Sequence, residues 1–169
     1  MANRKNVSSL SDDQLKRLRR LLDVYINKPL NNPVAEHLTA GMDMSLDIHG
    51  SGFIAWHQHF MANLDDWLVL NNGDEFVPCP YWDPADPIPP QLSANNTDVN
   101  LPLPANLSPQ ALTQITAYSE LNNRLLPYHG AVHNAAGGMM PSPMSSPSDP
   151  IFWPFHAFLV SVYERWRNL

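Results

Sequence analysis

Apolar residues recur at helical spacing along most of the chain, and the breaks fall where proline, asparagine and glycine cluster. Ser11-Asp-Asp-Gln14 leads into Leu15, Leu18, Leu22 and Ile26. A capping-box start followed by an amphipathic face predicts a helix from Ser11 to about Ile26. Lys28-Pro29 and Asn31-Asn32-Pro33 break it, and a shorter helix from near Pro33 carries Glu36 and His37. Phe53, Trp56, Phe60, Leu64, Trp67 and Leu68 share one face and predict a buried-face helix from Phe53 to about Leu70. Asn71-Asn72-Gly73 supplies its stop, because Asn and Gly tolerate the left-handed backbone. Nine prolines between Pro78 and Pro109 exclude a long helix or a central strand and predict an irregular connection over the surface. Ser108-Pro109 opens a helix to about Leu125, and Pro127 is expected to restart the chain into a helix bearing His129, Val132 and His133. Gly137-Gly138 ends that helix, and a loop rich in Pro and Ser follows from Met139 to Ser148. Asp149-Pro150 then reads as the cap and first turn of a last helix from about Ile151 to Trp166.

The fold class expected is therefore mainly α, and 169 residues suit a single domain with one core. That domain, residues 1–169, divides into a first half at about 30–70, the connection at 78–109 and a second half at about 110–169. The lone Cys79 excludes a disulfide framework and a Cys-rich zinc site, and between Pro78 and Pro80 it reads as a small buried residue. No apolar run approaches the roughly 18 residues of a spanning helix, so no membrane is expected. The opening Met-Ala-Asn-Arg-Lys-Asn reaches a charged segment rather than the apolar core of a signal peptide. Placement in the cytoplasm, or export with a partner, is the expectation. Of ten basic residues seven lie at or before Lys28, and eleven acids but no Lys or Arg fall between Pro29 and Asn123. Only Lys16, Arg17, Arg19 and Arg20 offer a cationic face, which reads as the solvated side of one helix, and no nucleic-acid partner is expected.

Seven histidines then change the picture. His129 and His133, four apart, project from one helical face and can point at one ion, although such a pair alone serves packing more readily. His156 lies within Phe152-Trp-Pro-Phe-His-Ala-Phe158, where an unpaired ring nitrogen is costly to bury unless it has a ligand role. His57 occupies a matching environment in Phe53-Ile-Ala-Trp-His57, with Phe four residues before the imidazole in both segments. An all-imidazole donor set suits Cu, Zn, Fe and Ni, and the lack of thiolates and of His-Glu-x-x-His argues against iron–sulfur clusters and protease-type zinc. Neutral imidazoles hold copper in both oxidation states, which makes copper the leading metal. Met139, Met140 and Met144 read as loop or core packing in preference to a copper relay.

These residues resemble a known family. Tyr128-His-Gly-Ala-Val-His133-Asn-Ala-Ala-Gly-Gly-Met139 and Ser148-Asp-Pro-Ile-Phe-Trp-Pro-Phe-His156-Ala157 resemble the second copper site of tyrosinases. His49-Gly-Ser-Gly-Phe-Ile-Ala-Trp-His57 looks like their first site, and Pro80-Tyr-Trp-Asp83 resembles the segment that follows it. The resemblance implies the type-3 copper fold, a four-helix bundle holding a binuclear centre with two copper ions per chain and dioxygen as cosubstrate. By motif position it implies His37, His49 and His57 on the first copper, and His129, His133 and His156 on the second. His59 would be a spare imidazole. Phe53 and Phe152 would pack against the pocket, and Gly130 stands where active members carry Asn.

The implied activity is that of a tyrosinase or polyphenol oxidase, hydroxylating monophenols and oxidising o-diphenols to o-quinones. Glu120, nine residues before His129, occupies the position of the carboxylate that polarises a water in the family, and Asn134 is a substitute for the missing Asn. One alternative is a catechol or o-aminophenol oxidase without efficient monophenol hydroxylation. Others are a haemocyanin-like dioxygen carrier and a helical bundle with one metal or none. A small phenolic substrate is the expected partner, with a copper-delivery protein as a further candidate, and the sequence leaves the oligomeric state open.

Overall fold

The computed structural model describes residues 4–93 and 98–169. The start of the chain at 1–3, and residues 94–97 of the proline-rich connection, lie outside the described residues. Among the described residues there are six α-helices: α1 (Asp12–Ile26), α2 (Pro33–Met42), α3 (Phe53–Leu70), α4 (Pro109–Leu112), α5 (Tyr118–Ala136) and α6 (Phe152–Arg167). No strand forms among them, and an isolated bridge joins Asn6 to Tyr81. No described helix is long and apolar enough to cross a membrane.

The cap signals act where the sequence puts them. Ser11 Oγ accepts from the Gln14 N–H at 3.3 Å, and the Gln14 side chain accepts from the Ser11 N–H at 2.9 Å, closing the capping box of α1. Leu15, Leu18, Leu22, Tyr25 and Ile26 form its buried face. Asn32 caps α2 through the Val34 and Ala35 N–H groups and ties the turn back by donating to the Ile26 and Lys28 carbonyls. α3 has the expected bounds and buries Phe53, Phe60, Leu64 and Leu68, while Trp56 and Trp67 are half-buried at its flanks. At its end Asn72 takes the left-handed backbone (φ 59°). Gly73 has φ −103°, and its N–H donates to the Leu68 carbonyl at 2.7 Å, an approach that a Cβ would crowd.

Three boundaries differ from the sequence expectation. The helix expected from Ser108 to Leu125 stops after Leu112 and resumes at Tyr118. Thr113, Ile115 and Thr116 are β-branched, and the Ile115 carbonyl is taken by Trp166 Nε1 of α6 at 2.9 Å, so a tertiary bond replaces a helical one. Pro127 does not restart the chain, since α5 runs through it. The ring lies on the exposed side of α5 while Leu125, Tyr128, His129 and Val132 are buried, so packing of the inner face outweighs the missing N–H. Asp149-Pro150 precede the start of α6: Ile151 is its N-cap residue, and the buried Asp149 carboxylate accepts from the Ile151 N–H at 3.4 Å. The proline-rich connection is irregular, as expected, but does more than cover a surface. It buries Cys79, Trp82, Ile88 and Leu92, and the Trp82 N–H donates to the Pro154 carbonyl at 3.0 Å.

α3 packs on α6, and α5 packs on both, while α1 packs on α2 and α3. The buried apolar residues form one connected cluster, and α6 is enclosed on every side from Phe152 to Val160. Replacing Pro127 with Ala restores a helical N–H at an exposed site. Urea unfolding of the metal-free variant is expected to show a gain of about 1–3 kcal/mol with helix content unchanged, and a loss of stability would contradict a continuous α5.

Candidate metal centre

Four helices and one loop position the six histidines. His37 projects from the middle of α2, His57 from the second turn of α3, His129 and His133 from consecutive turns of α5, and His156 from the second turn of α6. His49 comes from the loop before α3. The loop is tied to α5 by Asn122, whose side chain donates to the Gly50 carbonyl at 2.6 Å and accepts from the Ile54 N–H at 3.3 Å. His37, His57, His129, His133 and His156 are buried, whereas His49 is exposed.

The rings meet as two groups of three. His129, His133 and His156 bring one nitrogen each within 4.8 Å of one another, and His129 Nε2 and His156 Nε2 are 3.3 Å apart. His37 lies 5.3 Å from His49 and 5.7 Å from His57 between ring centroids, and His49 lies 6.4 Å from His57. The groups touch where His57 stacks on His156 at 4.7 Å. Aromatic rings enclose them. Phe152 stacks on His156 at 3.8 Å, Phe53 lies 4.6 Å from His129, and Phe155 lies parallel to His129 at 6.0 Å.

Backbone carbonyls fix which nitrogen is free. His57 Nδ1 and His156 Nδ1 each donate at 2.8 Å to the carbonyl four residues earlier, of Phe53 and Phe152. His133 Nδ1 donates to the Met140 carbonyl at 2.6 Å. Each Nε2 is left with its lone pair directed inward, and this second hydrogen bond is what orients a metal-binding imidazole. His57 Nε2, His133 Nε2 and His37 Nδ1 are buried without a hydrogen-bond partner. An unpaired buried polar atom costs about 1–3 kcal/mol, so orphaned lone pairs converging from two sides fit cations that accept them.

The electrostatics agree with neutral donors. Burial, reinforced by His49 and His133, pushes His37 down to about 4. Burial also pushes His133 down to about 4, against the Met140 carbonyl. Burial holds His57, His129 and His156 well below the usual imidazole range, with neighbouring histidines adding to the shift, and partial desolvation at the cleft wall lowers His49, opposed by Asp47.

A cleft of about 150 Å³ opens onto this centre, lined by His37, His49, His129 and His133 together with Gly130, Asn134, Met140, Pro141, Pro143 and Ser146. Gly130 leaves room at its wall, since a Cβ there would meet nothing within 4 Å. Phe53 and Phe152 are fully buried beside the rings. Glu120 is not brought to the cleft: its carboxylate pairs with Arg124 in the first turn of α5. Nine residues of helix, about 13.5 Å and half a turn, separate it from His129. His59 is exposed on α3 and lines a different groove. The Met140 carbonyl and Asn122 carry no signal in the sequence, except that Asn122 lies seven residues, two turns, before His129 and so shares its face.

The unfolded chain, with histidines near 6.5, binds more protons than the folded chain between about pH 4 and about pH 6.5. Stability conferred by the neutral rings is therefore full above the unfolded value and is lost as pH falls through the folded one. The urea midpoint of the metal-free protein is expected to fall steeply from about pH 6.5 to about pH 4. A midpoint that stays constant or rises on acidification contradicts neutral burial.

Residues 88–169 match the family model described as the common central domain of tyrosinase. His129, His133 and His156 lie inside the matched residues, and His37, His49 and His57 precede them. Among curated proteins none matches the chain. This match to the second half of the chain, together with a three-histidine cluster that fits a metal site, supports assignment to the tyrosinase family of type-3 copper proteins.

Proposed function

We propose that the chain is a binuclear copper oxidase that uses dioxygen to oxidise o-diphenols to o-quinones and to hydroxylate monophenols. The observation that carries this reading is the meeting of two histidine triads, through stacked His57 and His156, beneath a cleft of about 150 Å³. His37, His49 and His57 would hold one copper, and His129, His133 and His156 the other. When bound, the copper pair supplies the redox chemistry that couples oxidation of the ring to reduction of dioxygen.

The chain's own groups do the rest. Met140, Pro141 and Pro143 give the cleft an apolar wall against which a phenol ring packs, and the space beside Gly130 admits its edge. Asn134, at the exposed rim, offers a carboxamide to a phenolic hydroxyl or to a water beside it. Phe53, Phe152 and Phe155 exclude water from the far side of the imidazoles, which keeps the nitrogens neutral and their orientation fixed.

A second reading is oxidation of catechols or o-aminophenols without efficient hydroxylation of monophenols. It is favoured by the absence of a carboxylate from the cleft lining, Glu120 being engaged by Arg124. A monophenol must give up a less acidic proton before it reacts, and no built-in carboxylate base stands ready to take it.

Copper-loaded protein tested against a monophenol, a catechol and an o-aminophenol separates these readings. Two coppers per chain and a visible quinone from catechol are expected. At most one copper, or no quinone, overturns the proposal, and two coppers without quinone point to a dioxygen carrier. His133→Ala is expected to bring copper down to about one per chain and to lower catechol turnover by at least a hundredfold, as outer-shell losses alone reach 10–100-fold. Glu120→Gln is expected to leave both phenol activities within about twofold, because its partner is the half-buried Arg124, which does not line the cleft. A selective loss of the monophenol reaction would restore Glu120 as the proton acceptor.

A further inference from the structure

The cleft's lining contains no lysine or arginine. It is drawn from segments 37–49 and 129–146, and the chain carries no basic residue from 29 to 123 or from 125 to 164. Several of the basic residues elsewhere are already occupied. Arg4 pairs with Asp65, Arg17 with Glu75, Arg19 with Asp23 and Arg124 with Glu120.

Just outside the lining, next to His49 in the chain, there is instead a negative charge. Asp47 lies two residues before His49, exposed, in a turn whose backbone is closed by Gly50 and Gly52 N–H groups donating to the Asp47 carbonyl at 2.8 and 3.1 Å. The Ser51 N–H donates to its carboxylate at 2.6 Å, so the charge is held in place rather than on a free side chain. Two residues of chain keep the Asp47 Cα within about 7.6 Å of that of His49, which lines the cleft.

We infer that the cleft selects phenols whose side chain carries an ammonium group over those carrying a carboxylate, with Asp47 as the residue that sets the preference. The inference rests on the cleft being the phenol site. A ring packed against Met140, Pro141 and Pro143 projects its substituent towards the mouth. There a cation is favoured by the charge of Asp47, two residues from the cleft-lining His49, while a carboxylate meets repulsion and no counter-charge.

The test uses the copper-loaded full chain and three catechols: one unsubstituted, one with an aminoethyl side chain and one with a carboxyethyl side chain. At low ionic strength kcat/KM for the amine is expected to exceed that for the acid by about fivefold or more, the difference shrinking in about 1 M salt. Asp47→Asn keeps an oxygen for the Ser51 N–H and tolerates the positive φ of 44° at this position. It is expected to cut the amine-to-acid ratio by at least threefold. Equal use of amine and acid by the wild type, preference for the acid, or a ratio unmoved by Asp47→Asn overturns the inference. Calorimetric titration of the metal-free protein with the same amine and acid reads the preference without turnover, and tighter binding of the amine is expected. If the unsubstituted catechol is not oxidised but the amine still binds more tightly, the oxidase reading has failed and the charge selection stands. If neither binds and none is oxidised, both are overturned.

Discussion

The structure turns on keeping uncharged imidazoles with converging, unpaired lone pairs inside an apolar interior. Three ring nitrogens, on His37, His57 and His133, are buried without a partner. At about 1–3 kcal/mol for each such atom, the metal-free chain carries a penalty on the order of several kcal/mol, comparable with the net stability of a domain. Burial keeps the rings neutral, and neutrality makes them donors, so the destabilising feature and the functional one are the same. A cation that accepts the lone pairs removes the penalty and adds its own binding free energy to folding.

The fold meets this demand by using one device twice. In α3 and in α6 a phenylalanine stands four residues before a histidine, and its carbonyl takes the Nδ1 proton of that histidine. The two helices pack together so that His57 and His156 stack. The halves differ in their remaining histidines. α5 supplies two from a single face, which gives the tighter group, whereas the first half draws on α2 and on a loop held by Asn122. His49 is accordingly exposed, and the cleft opens on its side. The loop after α5 closes the opposite wall: its Met140 carbonyl orients His133 while Met140, Pro141 and Pro143 line the cleft.

Much of this was legible in the sequence because it is local. The capping box at Ser11, the apolar face of α3, the proline-rich connection and the His129–His133 spacing each depend on residues within a few turns of one another. What could not be read depends on distant partners. Trp166 takes the Ile115 carbonyl and ends a helix that local signals would continue, and buried neighbours carry α5 through Pro127 against its own preference. Glu120 has the sequence distance expected of a base, but distance along a helix also fixes direction, and nine residues turn it away from His129 towards Arg124. The placement of Asn122 and the use of Asp47 as a charge near the cleft likewise required the loop before α3 to be seen folded against α5.

The most direct test is the crystal structure of the copper-loaded protein, with anomalous scattering measured at the copper edge. Two peaks are expected, about 3.5–4 Å apart as in other two-metal sites, one among His37, His49 and His57 and the other among His129, His133 and His156. A single peak, or peaks bound through groups other than these imidazoles, would contradict the account.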